Sequence, residues 1–318
     1  MKILVTGGAG YKGSVLVPAL LDNGHNVTVY DLFWFGDYLP KNDKLKKILD
    51  DTRNIHNYNL KGYDIVIHLA AVANDPCTDL DQTLSWETSC QATWALIESC
   101  VKYKIPRIIY ASSASVYGVQ ASEKVTEYNE LIPLTAYNKA KICAERILMS
   151  YADKINVQIL RPATVCGLAP RMRLDVVVNL LTMQAIKNKQ LIVLGGDQLR
   201  PNIHIKDLID IYLFMIDNPN LTGVYNAGFE NNSVLEIAES INNIIPSQIV
   251  IKESEDNRSY KVNSDKLLST GFKPSYKFND AIHEINEAFK NKLLFDEERW
   301  YNVRWMQHVV LKGIKSNL

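Results

Sequence analysis

No stretch of these 318 residues stays apolar long enough to span a bilayer. The opening "MKILVTGG" breaks at glycine too early for a secretory leader. Net charge is missing as well: 35 Lys and Arg balance 35 Asp and Glu. That removes any global electrostatic reason to expect a nucleic-acid or membrane-surface partner. Cysteine is sparse. Cys77, Cys90, Cys100, Cys143 and Cys166 are scattered, with no C-x-x-C and no ligand-like histidine spacing. Neither a metal site nor a disulfide framework is therefore expected, and a reduced cytoplasm fits best. There is no internal repeat and no low-complexity linker.

What is present is alternation. The β-branched runs 2–6, 26–31, 46–51, 63–70, 107–113 and 157–162 read as strands, with amphipathic stretches at 14–23, 80–104 and 137–151 between several of them. This rhythm predicts right-handed βαβ crossovers and an α/β, Rossmann-type, doubly wound parallel sheet. "DIVIHLAA" is apolar throughout, as suits a central strand covered on both faces. After Pro162 the rhythm loosens, with helices expected near 174–189, 206–217, 233–244 and 278–291. The expected division is a dinucleotide-binding domain over 1–161, with segments returning near 200–222, and a smaller C-terminal lobe over 162–318.

The first strand runs into "TGGAGYKGS", whose Gly8, Gly10 and Gly13 fit G-x-G-x-x-G and whose Gly7, Gly10 and Gly13 fit G-x-x-G-x-x-G. Between a strand and a helix, such a turn lets backbone approach a pyrophosphate seated at the helix N-terminus. Asp31 ends the second strand, where its carboxylate can accept from an adenosine ribose and would repel a 2′-phosphate. The expected cofactor is therefore NAD rather than NADP. "ASSASVYG" (111–118) puts small hydroxyl residues at the carboxyl end of a parallel strand, where ligands bind. Those hydroxyls serve either to polarise a substrate oxygen or to cap a neighbouring turn. In "AYNKAK", Tyr137 and Lys141 are four apart and share one helix face. Taken alone, the six residues fit an ordinary surface pair as well as an acid–base pair.

At this point the chain resembles the extended short-chain dehydrogenase/reductases that modify nucleotide sugars. The resemblance spans nearly its whole length and rests on "TGGAGYKG", Asp31, "DDTRN", "HLAA", "SSASVYG", "YNKAK", "RPNIHIKD" and "YNAG". It implies a smaller lobe that binds a nucleotide-diphosphate sugar (GDP-, UDP- or dTDP-linked) and a homodimer built on helices 80–104 and 137–151. It also implies catalysis by Tyr137, Lys141 and Ser113. NAD would be held by Gly7, Gly10, Tyr11, Lys12, Gly13, Asp31, Asp51, Thr52, Leu69, Ala70 and Ala71, together with Tyr137 and Lys141. Ser113, Ala114, Ser115, Asn179, Arg200 and Arg258 would meet the substrate. Phenolic tyrosine has a reference pKa of about 10, and bringing it to about 7 takes some 4 kcal/mol. The Lys141 ammonium and a cationic nicotinamide both carry the right sign to supply it.

Within that family, dehydratases place an Asp–Glu pair after the catalytic hydroxyl. Here Ala114 and Ser115 stand there instead, so elimination is disfavoured, and the segment resembles that of the 4-epimerases. "RPATVCGLAPRMRLDVVVN" and "DNRSYKV" resemble a subgroup that includes a GDP-heptose C4-dehydrogenase, which releases its keto-sugar. Arg171 and Arg173 are then either sugar or phosphate contacts, or charge flanking a helix start. The resemblance implies oxidation at C4, in the making of sugars for bacterial surface polysaccharides. A non-catalytic NAD-binding regulator and a reductase of non-nucleotide carbonyls are the rival classes. His68 and His204 read as structural, and Trp86 as core or lobe packing on the long helix.

Overall fold

A computed structural model describes residues 1–120, 124–254 and 259–311. Seven short runs form one parallel sheet: β1 (Lys2–Thr6), β2 (Asn26–Asp31), β3 (Leu45–Leu49), β4 (Ile65–His68), β5 (Arg107–Ala111), β7 (Asn156–Pro162) and β11 (Gly223–Ala227). Lys124–Val125 supplies the intervening two-residue β6. The smaller strands of the second lobe are β8 (Thr164–Cys166), β9 (Gln190–Leu194) and β10 (Leu199–His204). The sheet order is β11-β7-β5-β4-β1-β2-β3. Chain order reverses between β4 and β2 on either side of β1, which makes this the switch point where a crevice opens at the carboxyl ends. Thr6 pairs with both Tyr30 and His68, so those ends lie level.

Alternation along each strand fills two cores. Ile3 and Val5 pack with Leu16, Val17 and Leu20 of α1 (Gly13–Asp22), and also with Leu208 and Tyr212. Leu4 and Val66 pack with Leu96 and Ala144 on the other face. The expected helix 80–104 runs without a break over 82–102, as α3 (Gln82–Trp86), a π turn (Glu87–Gln91) and α4 (Ala92–Lys102), with a separate short helix α2 (Asp75–Leu80) before it. Its start has a local cause. Asp81 is extended (φ −156°), and its carboxylate accepts from Leu84 N at 2.9 Å, capping a new helix rather than continuing the old one. Trp86 is 38% exposed and lies outside the core, which leaves packing on the long helix as its role. The next helices are α5 (Ala136–Met149), α6 (Val177–Asn188) and α7 (Ile205–Asp217).

Where the sequence reads as irregular, the second lobe holds further strands: β12 (Glu230–Ser233), β13 (Gln248–Lys252) and β14 (Lys261–Val262). They pair as β12-β10-β8, β13-β9 and β14-β6. Helices α8 (Val234–Ile244), α9 (Asp265–Leu268) and α10 (Phe278–Lys290) complete it, and α6, α8 and α10 share a third core. Residues 205–227, α7 and β11, return to the first sheet. A last helix, α11 (Asn302–Leu311), packs beside α2. Among the described residues no helix is long and apolar enough to cross a membrane, and no His, Cys, Asp and Glu group is placed to hold a metal ion.

Candidate active site

The carboxyl ends of β1, β2, β4 and β5 open into a cavity of about 510 Å³ between the two lobes. Its floor is the glycine turn. Gly7 has φ +72°, and a Cβ there would stand 2.5 Å from Ala70 N. A Cβ on Gly13 would stand 2.4 Å from Gly8 O. Both are required by the chain's own close packing. A Cβ on Gly10 meets only Gly7 O, at 3.3 Å, and Gly10 lines the cavity. This third glycine therefore leaves open a cradle that any side chain would fill. The N-terminus of α1 faces it with a positive dipole end, although Ser14 N and Val15 N already bond Gly10 O and Lys12 O within the turn. Tyr11 anchors the turn to the second lobe by donating to Gly167 O at 2.7 Å.

Asp31 accepts from Ala9 N at 2.9 Å and Phe33 N at 2.8 Å, and its buried carboxylate lines the cavity. Burial raises its pKa, against the pull of those two N–H donors. Two N–H bonds leave carboxylate lone pairs for ribose hydroxyls. Thr52, Leu69, Ala70 and Ala71 line the same end. Asp51 does not: its carboxylate holds Arg53 N and the Arg53 guanidinium, and Asp50 takes its place in the lining.

At the other end Thr135 caps α5 by accepting from Asn138 N, which sets Tyr137 in the first turn, facing the cavity. The Tyr137 hydroxyl is near enough to Ser113 for that side chain to act on its pKa. Ser113 Oγ lies 2.8 Å from Ser115 Oγ, which donates to Asn138 Oδ1 at 2.8 Å. Lys141, one turn on, is buried behind the tyrosine. Its Nζ donates to Ala111 O at 2.8 Å and lies 5.9 Å from the Tyr137 ring centre. Burial, with the nearby Asp75 charge adding, pushes the Tyr137 hydroxyl up to about 12, while Arg173 and the Ser113 side chain oppose it. Burial and the like charge of Lys12 bring Lys141 down to about 7. Burial and Arg173 bring Lys12 down to about 8. Burial leads both shifts, so the two ammonium groups sit where water solvates them poorly.

Ser113, Ala114 and Ser115 line the cavity, as do Arg171, Arg173 and Arg200. Arg173 pairs with Asp175 at 2.8 Å, and Arg200 Nη1 donates to Leu199 O at 3.0 Å. Asn179 is placed differently from the sequence reading. Fully buried, it spends its amide on Gly167 N, Tyr11 Oη and Arg173 O, bracing the cavity wall instead of reaching the substrate. Arg258 lies outside the described residues. His68 is a core histidine, bonded to Thr6 and Thr93 and pushed down to about 3 by burial. His204 caps α7.

Sequence reasoning missed three groups. Trp34 and Phe35, two and three positions past Leu32, form an aromatic rim. Asn302 enters the lining from the far C-terminus, and the apolar pair Val303 and Met306 at helical spacing was its available signal. Beneath the site, buried Glu145 accepts from Arg161 (2.9 and 2.6 Å) and from Ser112 (2.5 Å). Finding that pair requires knowing which strand lies behind α5.

Residues 3–228 match the model of the NAD dependent epimerase/dehydratase family. The chain is 33% identical over 262 residues to an uncharacterized UDP-glucose epimerase of Bacillus subtilis, covering 77% of this chain and 82% of that one. It is 27% identical to a putative UDP-glucose 4-epimerase of Methanocaldococcus jannaschii, covering 91% of this chain and 98% of the relative. Among solved structures it is similar to the UDP-glucuronic acid 4-epimerase of Bacillus cereus in complex with UDP-glucuronic acid and NAD. There the identity is 28% and the TM-score 0.81, over 92% of this chain and 100% of the other.

Proposed function

The chain belongs to the NAD-dependent epimerase/dehydratase family, and from this we propose that it oxidises C4 of a nucleotide-diphosphate sugar and re-reduces it, as a 4-epimerase. NAD is the cofactor, and the open cradle at Gly10, the Asp31 carboxylate and Lys12 beside the glycine turn fit a dinucleotide. Its nicotinamide, when bound, accepts and returns the hydride and adds positive charge beside Tyr137. The observation that carries the reading is that Tyr137, Lys141 and Ser113 converge at one end of the cavity whose other end is the glycine turn and Asp31.

Tyr137 takes the proton of the sugar hydroxyl and gives it back. Lys141, fixed by Ala111 O, stabilises the phenolate, and Ser113 holds the reacting oxygen. Ala114 and Ser115 offer no carboxyl to drive loss of water, which favours epimerisation over dehydration. Arg200 and Arg258 are proposed for the diphosphate, where bidentate cations are needed. The relatives favour uridine as the base. The product would supply surface-polysaccharide assembly from the cytoplasm. The test is incubation of the NAD-loaded protein with UDP-sugars and analysis of the sugars by NMR. Inversion at C4 is expected. Stoichiometric release of a 4-keto-sugar would instead assign a C4-dehydrogenase, and no change in any nucleotide sugar would defeat the proposal.

Two further expectations arise here. Between about pH 7 and 9, Lys12 at the glycine turn is partly neutral, and dinucleotide phosphates favour its charged form. NAD binding should therefore take up protons at pH 8, take up almost none at pH 6, and weaken as pH rises through this window. Calorimetry in buffers of different ionisation enthalpy reads the uptake directly, and proton release would contradict it. Separately, Trp86 and Trp94 (54% exposed) share an apolar groove with Thr83, Cys90 and Ile147 on α3, α4 and α5. That face supports the homodimer. Sedimentation should show a dimer at micromolar concentration that Trp94→Glu dissociates.

A further inference from the structure

Beyond α10 the chain leaves the second lobe and returns to the rim of the first, and Asn302 is the joint. Its backbone N–H donates to Asp175 at 3.0 Å, and its side-chain oxygen accepts from Arg171 Nη2 at 2.6 Å. Further along α11, Trp305 Nε1 donates to Trp34 O at 2.6 Å, and Met306 packs in one cluster with Val72 and Cys77. The segment thus grips both sides of the cavity's adenosine end.

Arg171 is the group it secures. The residue is 1% exposed, its guanidinium lies 3.7 Å over the Phe35 ring, and its backbone N–H donates to Ser14 Oγ in the first turn of α1. Its Nε, however, has no hydrogen-bond partner, although the residue lines the cavity. A buried charged donor left unused is costly unless a ligand satisfies it. Ser14, Phe35 and the attraction of Asp31 place Arg171 at the dinucleotide end, whereas Arg173 acts on Tyr137 at the reacting end. We propose that Arg171, locked by Asn302 of the C-terminal segment, donates from Nε to the dinucleotide's pyrophosphate beside the glycine turn, and that α11 is a clasp slowing cofactor release. This rests on the NAD reading above. An enzyme that returns hydride to the sugar it oxidised has no need to exchange its cofactor, so a clasp costs it no turnover.

The test is the release rate of NADH from the full-length protein. Excess NAD would be the displacing ligand and nicotinamide fluorescence the readout, for wild type, Arg171→Met and Asn302→Ala, with a thermal melt of each unliganded protein. Release about tenfold faster or more is expected in both variants. Arg171→Met also leaves the buried Asn302 Oδ1 without its donor, so it should melt somewhat lower than wild type, and release is compared at a temperature where all three proteins remain folded. Unchanged release in both variants would overturn the proposal, and faster release in Asn302→Ala alone would overturn the part given to Arg171. Weaker UDP binding to NADH-loaded Arg171→Met with unchanged NADH release would assign the residue to the substrate's diphosphate and also overturn it. Wild type that binds no NADH would defeat the NAD reading itself.

Discussion

Tyr137→Phe is expected to lower kcat about 10²- to 10⁴-fold while the protein still folds and still binds NAD. The ring fills the same space and keeps its packing over Lys141, so only the hydroxyl is lost. That hydroxyl faces the cavity, where Ser113 acts on it, and among the described residues the other phenols of the lining are committed elsewhere. Tyr11, the other tyrosine near the glycine turn, has its oxygen committed to Gly167 O. Tyr260 donates to Ala114 O. The pH profile gives a second check. The chain alone holds Tyr137 up at about 12, so the positive nicotinamide must supply much of the downward shift. The activity should therefore follow a group that titrates lower in the NAD-loaded protein than in the protein alone. A Tyr137→Phe variant with activity within tenfold of wild type would remove Tyr137 from the chemistry.

The second large effect lies under the site. Glu145 and Arg161 are each 5% exposed in their side chains and joined by two hydrogen bonds, and Arg161 also donates to Tyr117 at 3.0 Å. Glu145→Ala strands a buried guanidinium against the sheet and takes the acceptor from Ser112, the residue before Ser113. Breaking one side of such a pair costs roughly 3–5 kcal/mol. For a chain of this size that is a fall in melting temperature on the order of 10 °C. Replacing both partners by apolar residues (Glu145→Leu with Arg161→Met) should recover most of the loss, because no charge is then left unpaired. If the single variant melted within a degree or two of wild type, the pair would not be holding α5 to β7. Because Glu145 is one turn past Lys141 on α5, the single variant should also raise the mobility of the catalytic end.

Residues close together in the chain were legible without the fold. The glycine turn needs only a strand before it and a helix after it. Asp31 needs only to end the next strand, and Tyr137 and Lys141 need only one turn of helix. Each is a short-range pattern whose geometry follows from backbone periodicity, so sequence spacing and spatial spacing coincide. The inner strands of the parallel sheet were legible for the same reason, since β1, β4 and β5 are nearly continuous apolar runs buried on both faces, whereas the edge strand β3 is largely exposed. The long helix over 82–102 was legible too, and Asp81 caps its start with its own carboxylate.

What only the tertiary structure decided involves partners far apart in sequence, because long-range packing leaves no period in the chain. Asn179 stands in a substrate-like motif, yet Gly167 and Tyr11 consume its amide. Glu145 meets Arg161 only because β7 lies behind α5. Asn302 reaches Arg171 across 131 positions, because the C-terminal helix folds back over the first lobe. The sequence by itself therefore determined most of the sheet, the glycine turn and the helix that carries Tyr137 and Lys141. The tertiary structure alone decided which polar groups are spent inside the protein and which remain turned toward the cavity, since that depends on whatever distant segment is packed against each of them.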